Sequence, residues 1–358
     1  MRIVTPVLAI VALVVATACG GSTTMTATVA PSPSTPAAGA SPTSVASARS
    51  ATWTPVASEA DGPGARRDAS LVFDGPRQRL LLFGGRRGGQ PLADLWAYDL
   101  KAGRWSQIAA PSGPAARFGH VAATDAKRNQ MVVFTGQGSK FFNDAWMFDL
   151  TSNQWRDVTP SSAKPAERYG SCIGYDDVRD VFYISHGFTN QGRFDDTWAW
   201  NPATQQWADV SPQSGMRPIK RCLHRCSYDT QSSGMLLFGG QSNEIAFLGD
   251  LWRYDPVSKT WTEQKPDGFT PAPRMFSSFD AVASGRFVVY GGNTTTGPVD
   301  DVWLYDTRAG WQQVSVRAGP SSRASEATAV DPQTGALYVF GGVGDKEFGD
   351  LWRLTPNP

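Results

Sequence analysis

The sequence predicts an all-β fold built from six copies of one unit, because three features recur at nearly constant spacing. Each copy contains an apolar run that ends near a pair of glycines, then an Asp-x-Trp element, then a second Trp. Successive Asp-x-Trp elements are 50, 52, 54, 51 and 49 residues apart and begin at Asp94, Asp144, Asp196, Asp250, Asp301 and Asp350. The second Trp of the first five copies is Trp105, Trp155, Trp207, Trp261 and Trp311.

Each element of the unit has the pattern of a β-strand. The apolar run is short and continuous, which suits a strand that is buried on both faces. Glycines end it because the following turn needs a positive φ, which Gly reaches without steric cost. The third element alternates, with Leu95 and Ala97 on one face and Trp96 and Tyr98 on the other. Turn-forming residues such as 201–204 then lead to a fourth strand.

The sixth copy has no second Trp after Trp352, but the N-terminal part of the chain contains a matching residue. Trp53 lies 52 residues before Trp105, in the similar context Ala-Thr-Trp-Thr-Pro-Val. We therefore expect the segment around Trp53 to pair with the strand that contains Trp352. An open stack of sheets would leave the apolar faces of its two terminal sheets exposed. This pairing would close the stack into a ring.

The chain resembles the kelch-repeat family in these landmarks. The resemblance rests on Leu-Leu-Leu-Phe-Gly-Gly at 80–85, Met-Leu-Leu-Phe-Gly-Gly at 235–240, Leu-Tyr-Val-Phe-Gly-Gly at 337–342 and Asp-Leu-Trp-Arg-Tyr-Asp at 250–255. It implies that residues 51–358 form a six-bladed kelch β-propeller, similar to the central domain of galactose oxidase, with one four-stranded sheet per blade. The chain departs from the glycine pair at Thr135-Gly136 and at His186-Gly187.

The N-terminal region predicts export and a membrane anchor. Ten apolar residues at 7–16 are too few to span a bilayer and fit the hydrophobic part of a signal peptide over residues 1–18. Val-Ala-Thr-Ala-Cys at 15–19 resembles the bacterial lipobox, which implies lipidation of Cys19 and anchoring outside the cytoplasm. The alternative is an ordinary signal peptide that is cleaved near Ala18.

Residues 19–50 predict a disordered tether between this anchor and the propeller. Residues 20–50 contain no Asp, Glu, Lys or aromatic residue and are dominated by Ser, Thr, Pro, Ala and Gly. Such a composition cannot build a hydrophobic core.

The charge balance argues against nucleic acid as a partner. The 33 basic and 32 acidic residues leave a net charge of +1, and no basic block occurs. A nucleic-acid-binding domain needs a positive footprint.

The cysteines predict a disulfide between neighbouring blades. Cys172 lies in the first strand of blade 3, and Cys222 and Cys226 lie in the first strand of blade 4. In one extended strand Cys222 and Cys226 would be about 13 Å apart and could not bridge each other. Cys172 could pair with either of them, or all three could be buried free thiols. Because no Cys-x-x-Cys spacing occurs, we expect neither a metal nor a cofactor.

Repeated arginines at the start of each first strand admit two roles. They are Arg67, Arg117, Arg168, Arg221, Arg274 and Arg323. A residue present in every copy is most simply structural, and these arginines could pair with the repeated Asp. In kelch propellers, however, this position lies at one mouth of the central channel, so direct ligand contact is the alternative.

The loops between the second and third strands differ from copy to copy, which is typical of a binding surface on a rigid scaffold. They carry Arg86, Arg87, Lys140 and Arg193, which favour an anionic or polar ligand. Their phenylalanines could either tuck onto the blades or face the ligand. His120, His186 and His224 are expected to be polar residues that line a wet channel, and Glu326 is a further ligand-binding candidate.

These features favour a monomeric, lipid-anchored binding propeller that recognises a protein or a glycan at the channel mouth. No catalytic residues are predicted. The alternative is a propeller enzyme that acts on a carbohydrate, as the resemblance to sialic-acid mutarotases and to the galactose-oxidase superfamily would imply. The step from fold to activity rests on analogy alone.

Overall fold

The computed structural model describes residues 50–356 of the chain, and nearly all of the regular secondary structure in these residues is β-strand. The predicted signal peptide, Cys19 and nearly all of the predicted tether lie outside the described residues. One 3-10 helix, Glu59–Asp61, follows the first strand. Within residues 50–356, no helix is long and apolar enough to cross a membrane.

Most of the strands form six antiparallel four-stranded units, here called blades 1 to 6. Blade 1 comprises Ser70–Asp74, Arg79–Phe83, Leu95–Asp99 and Arg104–Ile108. Blade 2 comprises Val121–Asp125, Gln130–Phe134, Ala145–Asp149 and Gln154–Asp157. Blade 3 comprises Cys172–Asp176, Val181–Ser185, Thr197–Asn201 and Gln206–Asp209. Blade 4 comprises Arg225–Asp229, Gly234–Gly240, Leu248–Asp255 and Thr260–Gln264. Blade 5 comprises Asp280–Ala283, Arg286–Tyr290, Val302–Asp306 and Gly310–Arg317. Blade 6 comprises Ala327–Val330, Leu337–Phe340, Leu351–Pro356 and the N-terminal strand Ser50–Ala57.

Three small hairpins extend the loops between second and third strands. They pair Arg86–Arg87 with Gln90–Pro91, Phe188–Thr189 with Gly192–Arg193, and Asn293–Thr294 with Gly297–Pro298. We call the face that carries these loops and the starts of the first strands the rim face.

The N-terminal strand completes blade 6, as the sequence predicts. It runs antiparallel to the strand Leu351–Pro356, with Trp53 opposite Leu354 and Pro55 opposite Trp352. Its other edge pairs in parallel with the last strand of blade 5, where Ala51 lies opposite Val316. Blades 5 and 6 are thereby joined into one eight-stranded sheet.

Each second Trp packs against the end of the second strand in the preceding blade. Trp105 meets Phe340 with ring centroids 5.3 Å apart, and Trp155 meets Phe83 at 5.2 Å. Trp53 meets Tyr290 at 4.8 Å in the same way, so it takes the place of the sixth second Trp. Trp207 on Phe134 and Trp311 on Phe238 continue the pattern. Only at blade 4, among the described blades, does the Trp meet a histidine, His186, instead.

Backbone geometry explains why only one glycine of each pair can be replaced. At the first position φ is 63° for Thr135 and 57° for His186, in the left-handed region that other residues reach at modest cost. At the second position φ is 104° for Gly136 and 116° for Gly187, which suits glycine alone. A Cβ on Gly136 would also lie 2.8 Å from the Cβ of His120.

A cycle of six backbone hydrogen bonds links the blades at the start of their first strands. Each N–H donates to the equivalent carbonyl of the preceding blade at 2.9 Å, and the N–H of Asp68 in blade 1 donates to Ser325 of blade 6. The participating residues share a φ between 56° and 65° and are Asp68, Gly119, Gly170, Leu223, Phe276 and Ser325. This conformation turns their N–H and carbonyl groups away from their own sheet and toward the neighbouring blades.

Candidate functional site

A buried ion pair recurs at the rim end of every blade. In blade 2, Arg117 donates from Nη1 and Nη2 to the two carboxylate oxygens of Asp144 at 2.6 and 2.7 Å. Arg117 also donates to the carbonyl of Thr135, and Trp146 donates its indole N–H to Asp144. The other pairs are Arg66–Asp94, Arg168–Asp196, Arg221–Asp250, Arg274–Asp301 and Arg323–Asp350.

These arginines hold the blade ends together and are closed to ligands. The six arginine side chains are 0–1% exposed. Burial alone would raise the pKa of Asp250, but the hydrogen bonds and charge of Arg221 outweigh that effect and lower it. The alternative of direct ligand contact by Arg117, Arg168, Arg221, Arg274 and Arg323 is therefore wrong, because none of these guanidinium groups reaches the surface.

In blade 1 the repeated arginine is Arg66, so the assignment of Arg67 is wrong. Arg66 is 28 residues before its Asp, and the separation is 27 to 29 residues in the other blades. The spacing therefore allowed either of the two adjacent arginines. Arg67 occupies the next position, where its side chain is 27% exposed and lies 3.5 Å from Glu347.

Phenylalanines from the rim loops cover three of the buried arginines. Phe142 lies 4.1 Å from the guanidinium of Arg117, measured to the ring centroid. Phe194 covers Arg168 and Phe348 covers Arg323, both at 4.2 Å. These rings pack onto the blades and contribute to the scaffold.

A row of aromatic side chains crosses the rim face from blade 2 to blade 3, and we call it the aromatic ridge. Phe118 and Tyr169 meet with ring centroids 5.7 Å apart, and Tyr169 and Phe188 meet at 6.4 Å. The guanidinium of Arg86 lies 4.6 Å from the Phe118 centroid at one end, and that of Arg193 lies 5.4 Å from the Phe188 centroid at the other. Tyr169 and Phe188 are partly exposed.

The cationic residues around the ridge differ in how firmly they are held. Arg86 forms an ion pair of 2.7 Å with Asp68. Arg193 donates to Gln241 and Asn243 and to the sulfur of Cys222, and these partners are uncharged. Lys140 is exposed beside Phe142. Within residues 50–356 neither Arg193 nor Lys140 has an acidic partner, so both are available to an anionic group.

The channel contains a cavity of about 280 Å³ lined by first strands of several blades. Arg225 reaches across it and donates to the backbone carbonyls of Ser277 and Glu326 at 3.1 and 3.2 Å. Asp280 also lines the cavity and accepts a hydrogen bond of 2.9 Å from Thr328. Burial raises the pKa of Asp280, although the charge of Arg225 acts in the opposite direction.

The predicted channel residues have different positions. His120 lines the cavity and is bonded to Ser70 at 2.8 Å. Burial lowers its pKa to about 3, so the ring is neutral. Glu326 is fully buried, and neither of its oxygens has a hydrogen-bond partner in the part of the chain that the structure describes. Burial raises its pKa to about 8 despite the nearby charges of Arg225 and Arg323.

His186 and His224 are buried together between blades 3 and 4. Their ring centroids are 5.3 Å apart, and both rings are at most 2% exposed. His186 shares a hydrogen bond with Ser185 at 2.7 Å. His224 lines a second, smaller cavity of about 30 Å³ next to the first. His186 is fully buried and lines neither of these two cavities, so the prediction that it lies in a wet channel is wrong.

The disulfide joins Cys172 to Cys226, one of the two pairings that the sequence left open. The two Cα atoms are 5.2 Å apart and belong to the first strands of blades 3 and 4. Cys222 is a buried free thiol, and burial raises its pKa.

Three polar residues of this region were not predicted. Arg225, Asp280 and Thr328 lie in first strands at positions where the other copies carry mostly small or apolar residues. This break in the repeat was the available signal. Their convergence depends on how blades 4, 5 and 6 face the channel, which the linear sequence does not state.

The fold and these sites define a β-propeller of six kelch-type blades. The chain belongs to the family described as the KLHDC2/KLHL20/DRC7 Kelch-repeats domain, which matches residues 41–227 and 178–358.

Curated relatives are similar over most of this chain. The leucine-zipper-like transcriptional regulator 1 homolog of Drosophila melanogaster is 27% identical over 84% of the chain and 32% of its own length. Kelch domain-containing protein 10 of Xenopus tropicalis is 27% identical over 70% of the chain and 63% of its own length. Multiple epidermal growth factor-like domains protein 8 of Mus musculus is 26% identical over 80% of the chain and 11% of its own length. The chain thus spans less than two thirds of each of these relatives.

Proposed function

We propose that this chain is a protein-interaction propeller that binds a polypeptide on the rim face, at the aromatic ridge. Kelch-repeat relatives suggest protein interaction as the general role. The observation that carries the finer proposal is the ridge itself, with partly exposed Tyr169 and Phe188 beside the guanidinium of Arg193. Tyr, Trp and Arg are the side chains that contribute most to protein interfaces.

The ridge is also where the copies differ from one another. The position after the buried arginine is Phe118 in blade 2 and Tyr169 in blade 3, but Cys222, Met275 and Ala324 in blades 4 to 6. The Arg–Asp pairs occur in all six blades and stabilise them. Specificity for a partner would therefore come from the residues that vary between blades. Arg193 and Lys140 favour a partner with acidic side chains near the segment that meets the ridge.

A lipid on Cys19 would place this binding face outside the cytoplasm, on a bacterial membrane. The support for this part is the lipobox-like sequence at 15–19 and the Ser-, Thr- and Pro-rich segment that follows it.

A comparative partner screen tests the proposal. The full chain and its Tyr169→Ala, Phe188→Ala double variant are used as baits against envelope proteins, with a glycan array in parallel. We expect at least one protein that the full chain retains and the double variant loses. Partners retained equally by both baits would contradict the ridge as the binding site, and binding to glycans alone would contradict a polypeptide ligand.

A second candidate, a propeller enzyme that acts on a carbohydrate, is favoured by one observation. Arg225 and Asp280 both line the channel cavity, and a carboxyl with a raised pKa can take part in proton transfer. Glu326, in contrast, lies outside the cavity lining. Proton NMR of free sugars incubated with the full chain tests this candidate, with Asp280→Asn as the comparison.

A further inference from the structure

Three metal-ligating side chains converge at the junction of blades 3 and 4. The sulfur atoms of Cys172 and Cys226 and one ring nitrogen of His224 all lie within 4.8 Å of one another. Cys172 belongs to blade 3, and His224 and Cys226 belong to blade 4. This cross-blade arrangement explains why the linear spacing of the cysteines gave no sign of a metal site.

The second strand of blade 3 breaks the repeat beside this cluster. The residue just before the glycine-pair position is aromatic in the other five blades, but blade 3 has Ser185 there, and His186 replaces the first glycine. His186 and His224 therefore meet in a space that aromatic side chains fill elsewhere. The change substitutes polar, ligand-bearing side chains for part of the hydrophobic contact between blades.

His224 is suited to bind a metal ion. Its ring is 2% exposed, and neither nitrogen has a hydrogen-bond partner within residues 50–356. An unpaired ring nitrogen of this kind can ligate a metal ion, and imidazole nitrogen is a usual ligand of zinc-class ions.

Water can reach the cluster, and the charges of its ligands balance the charge of a divalent ion. Cys172 and Cys226 line the channel cavity, so water can reach a fourth coordination position there. Two thiolates neutralise the charge of a divalent ion, which limits the cost of placing it near Arg225. Three protein ligands and one open position are a known zinc arrangement, in which bond lengths of about 2.0 to 2.3 Å set ligand atoms about 3.5 to 3.8 Å apart.

We propose that reduction of the Cys172–Cys226 disulfide creates a binding site for one zinc-class divalent ion, held by both thiolates and His224. A dithiol reductant supplies two electrons and two protons to the disulfide and is itself oxidised to a disulfide. When the ion binds, the two cysteine thiols release those protons. The pair therefore exists either as a covalent link between blades 3 and 4 or as a metal site at the same place.

Cobalt binding to the reduced full chain tests this inference. The protein is reduced with dithiothreitol, freed of it by anaerobic gel filtration and titrated with Co²⁺. We expect one Co²⁺ per chain, with a sulfur-to-cobalt charge-transfer band and the intense visible absorption of a tetrahedral site. The oxidised chain should show neither band.

Variants assign the ligands. Cys226→Ser and His224→Asn should each weaken Co²⁺ binding about tenfold or more, because each removes a ligand. Cys222→Ser is the matched control, since Cys222 lies outside the three-ligand cluster and should leave the spectrum unchanged. Near-ultraviolet circular dichroism of each sample reports whether the blades remain packed.

Two results would overturn the inference. One is a folded, reduced chain without the charge-transfer band, or one in which Cys222→Ser abolishes the band and Cys226→Ser retains it. The other is a chain that loses its near-ultraviolet signal on reduction and does not recover it with added Zn²⁺, because a site that forms on reduction must be compatible with the folded blades.

Discussion

The backbone N–H of Asp68 donates to the carbonyl oxygen of Ser325 at 2.9 Å, which links blade 1 directly to blade 6. The N-terminal and C-terminal parts of the described chain are joined a second time at the outer edge, where the N-terminal strand completes blade 6. The inner link uses backbone groups that a left-handed φ turns toward the neighbouring blade. The outer link is an ordinary antiparallel pairing of two strands. The N-terminal and C-terminal parts of the described chain are therefore joined both at the first strands and at the outer edge of blade 6.

Replacing Arg66 should destabilise the protein far more than replacing the adjacent Arg67. Arg66→Ala leaves the carboxylate of Asp94 without its bidentate partner, and breaking a buried pair in this way costs about 3–5 kcal/mol. Arg67→Ala removes a partly exposed contact with Glu347 and should cost about 0–1 kcal/mol. Urea unfolding of both variants gives the comparison. Equal losses would contradict the assignment of Arg66 to the repeated position.

Removing the N-terminal strand should lower the thermal midpoint sharply. A chain that begins at Ser58 loses Trp53, which is 6% exposed, and burial of such a side chain is worth about 3–5 kcal/mol. It also exposes strand edges on blades 5 and 6, so aggregation should increase. A chain that begins at Ser50 keeps the strand and serves as the control. Calorimetry that shows the same midpoint for the two chains would contradict this role of the strand.

The architecture could be predicted from the sequence because each copy of the repeat corresponds to one blade. The period gave the number of blades, and the position of Trp53 gave its pairing with the last strand. At the site, the sequence was less informative. Two adjacent arginines fit the same spacing, and the spacing alone does not distinguish the buried Arg66 from Arg67. The choice between Cys222 and Cys226 requires the register of neighbouring first strands.

Contacts between blades account for most of what the sequence missed. Arg225 of blade 4 reaches carbonyls of blades 5 and 6, and His186 of blade 3 meets His224 of blade 4. Arg225 and His186 each break the repeat in their own copy, and that break is visible in the sequence. The partner of each lies in another copy at a distance set by how the blades pack, which the repeat pattern does not encode.

Glu326 should make the protein less stable as the pH rises. Its pKa is raised to about 8 in the folded protein from an ordinary value of 4.5, so the folded state holds a proton that the unfolded state releases. The resulting loss of stability begins near pH 4.5 and is complete above about pH 8. The groups around it are Arg225 and Arg323, which oppose the shift, and Asp280, which adds to it.

Glu326→Gln isolates this effect, because the amide has the same shape and does not ionise. The thermal midpoint of the variant, relative to the wild type, should rise between pH 5 and pH 8.5. Glu347→Gln, at a partly exposed position, is the control and should follow the wild type. A constant difference between Glu326→Gln and the wild type across this range would show that Glu326 does not ionise in it.

Ridge variants should weaken partner binding without affecting the fold. Tyr169→Ala and Phe188→Ala each remove a partly exposed aromatic ring, and hot-spot residues of this kind typically contribute about 2 kcal/mol or more, or roughly 30-fold in affinity. Arg193→Gln should mainly slow association and reduce its salt dependence. Biolayer interferometry at two salt concentrations measures both effects. Val178→Ala, at an exposed residue in a turn of blade 3 away from the rim loops, is the control and should bind normally.

Cys19→Ala should release the protein from the membrane. If Cys19 carries the lipid, the variant loses its only predicted anchor, since residues 7–16 are too few to span a bilayer. We expect the wild type in the membrane fraction and the variant in the soluble extracytoplasmic fraction, with mass spectrometry of the wild-type N-terminus showing a diacylglyceryl cysteine. Cys222→Ser should remain in the membrane fraction. If Cys19→Ala also stayed there, the attachment would depend on something other than lipidation, and the proposed anchor would be wrong.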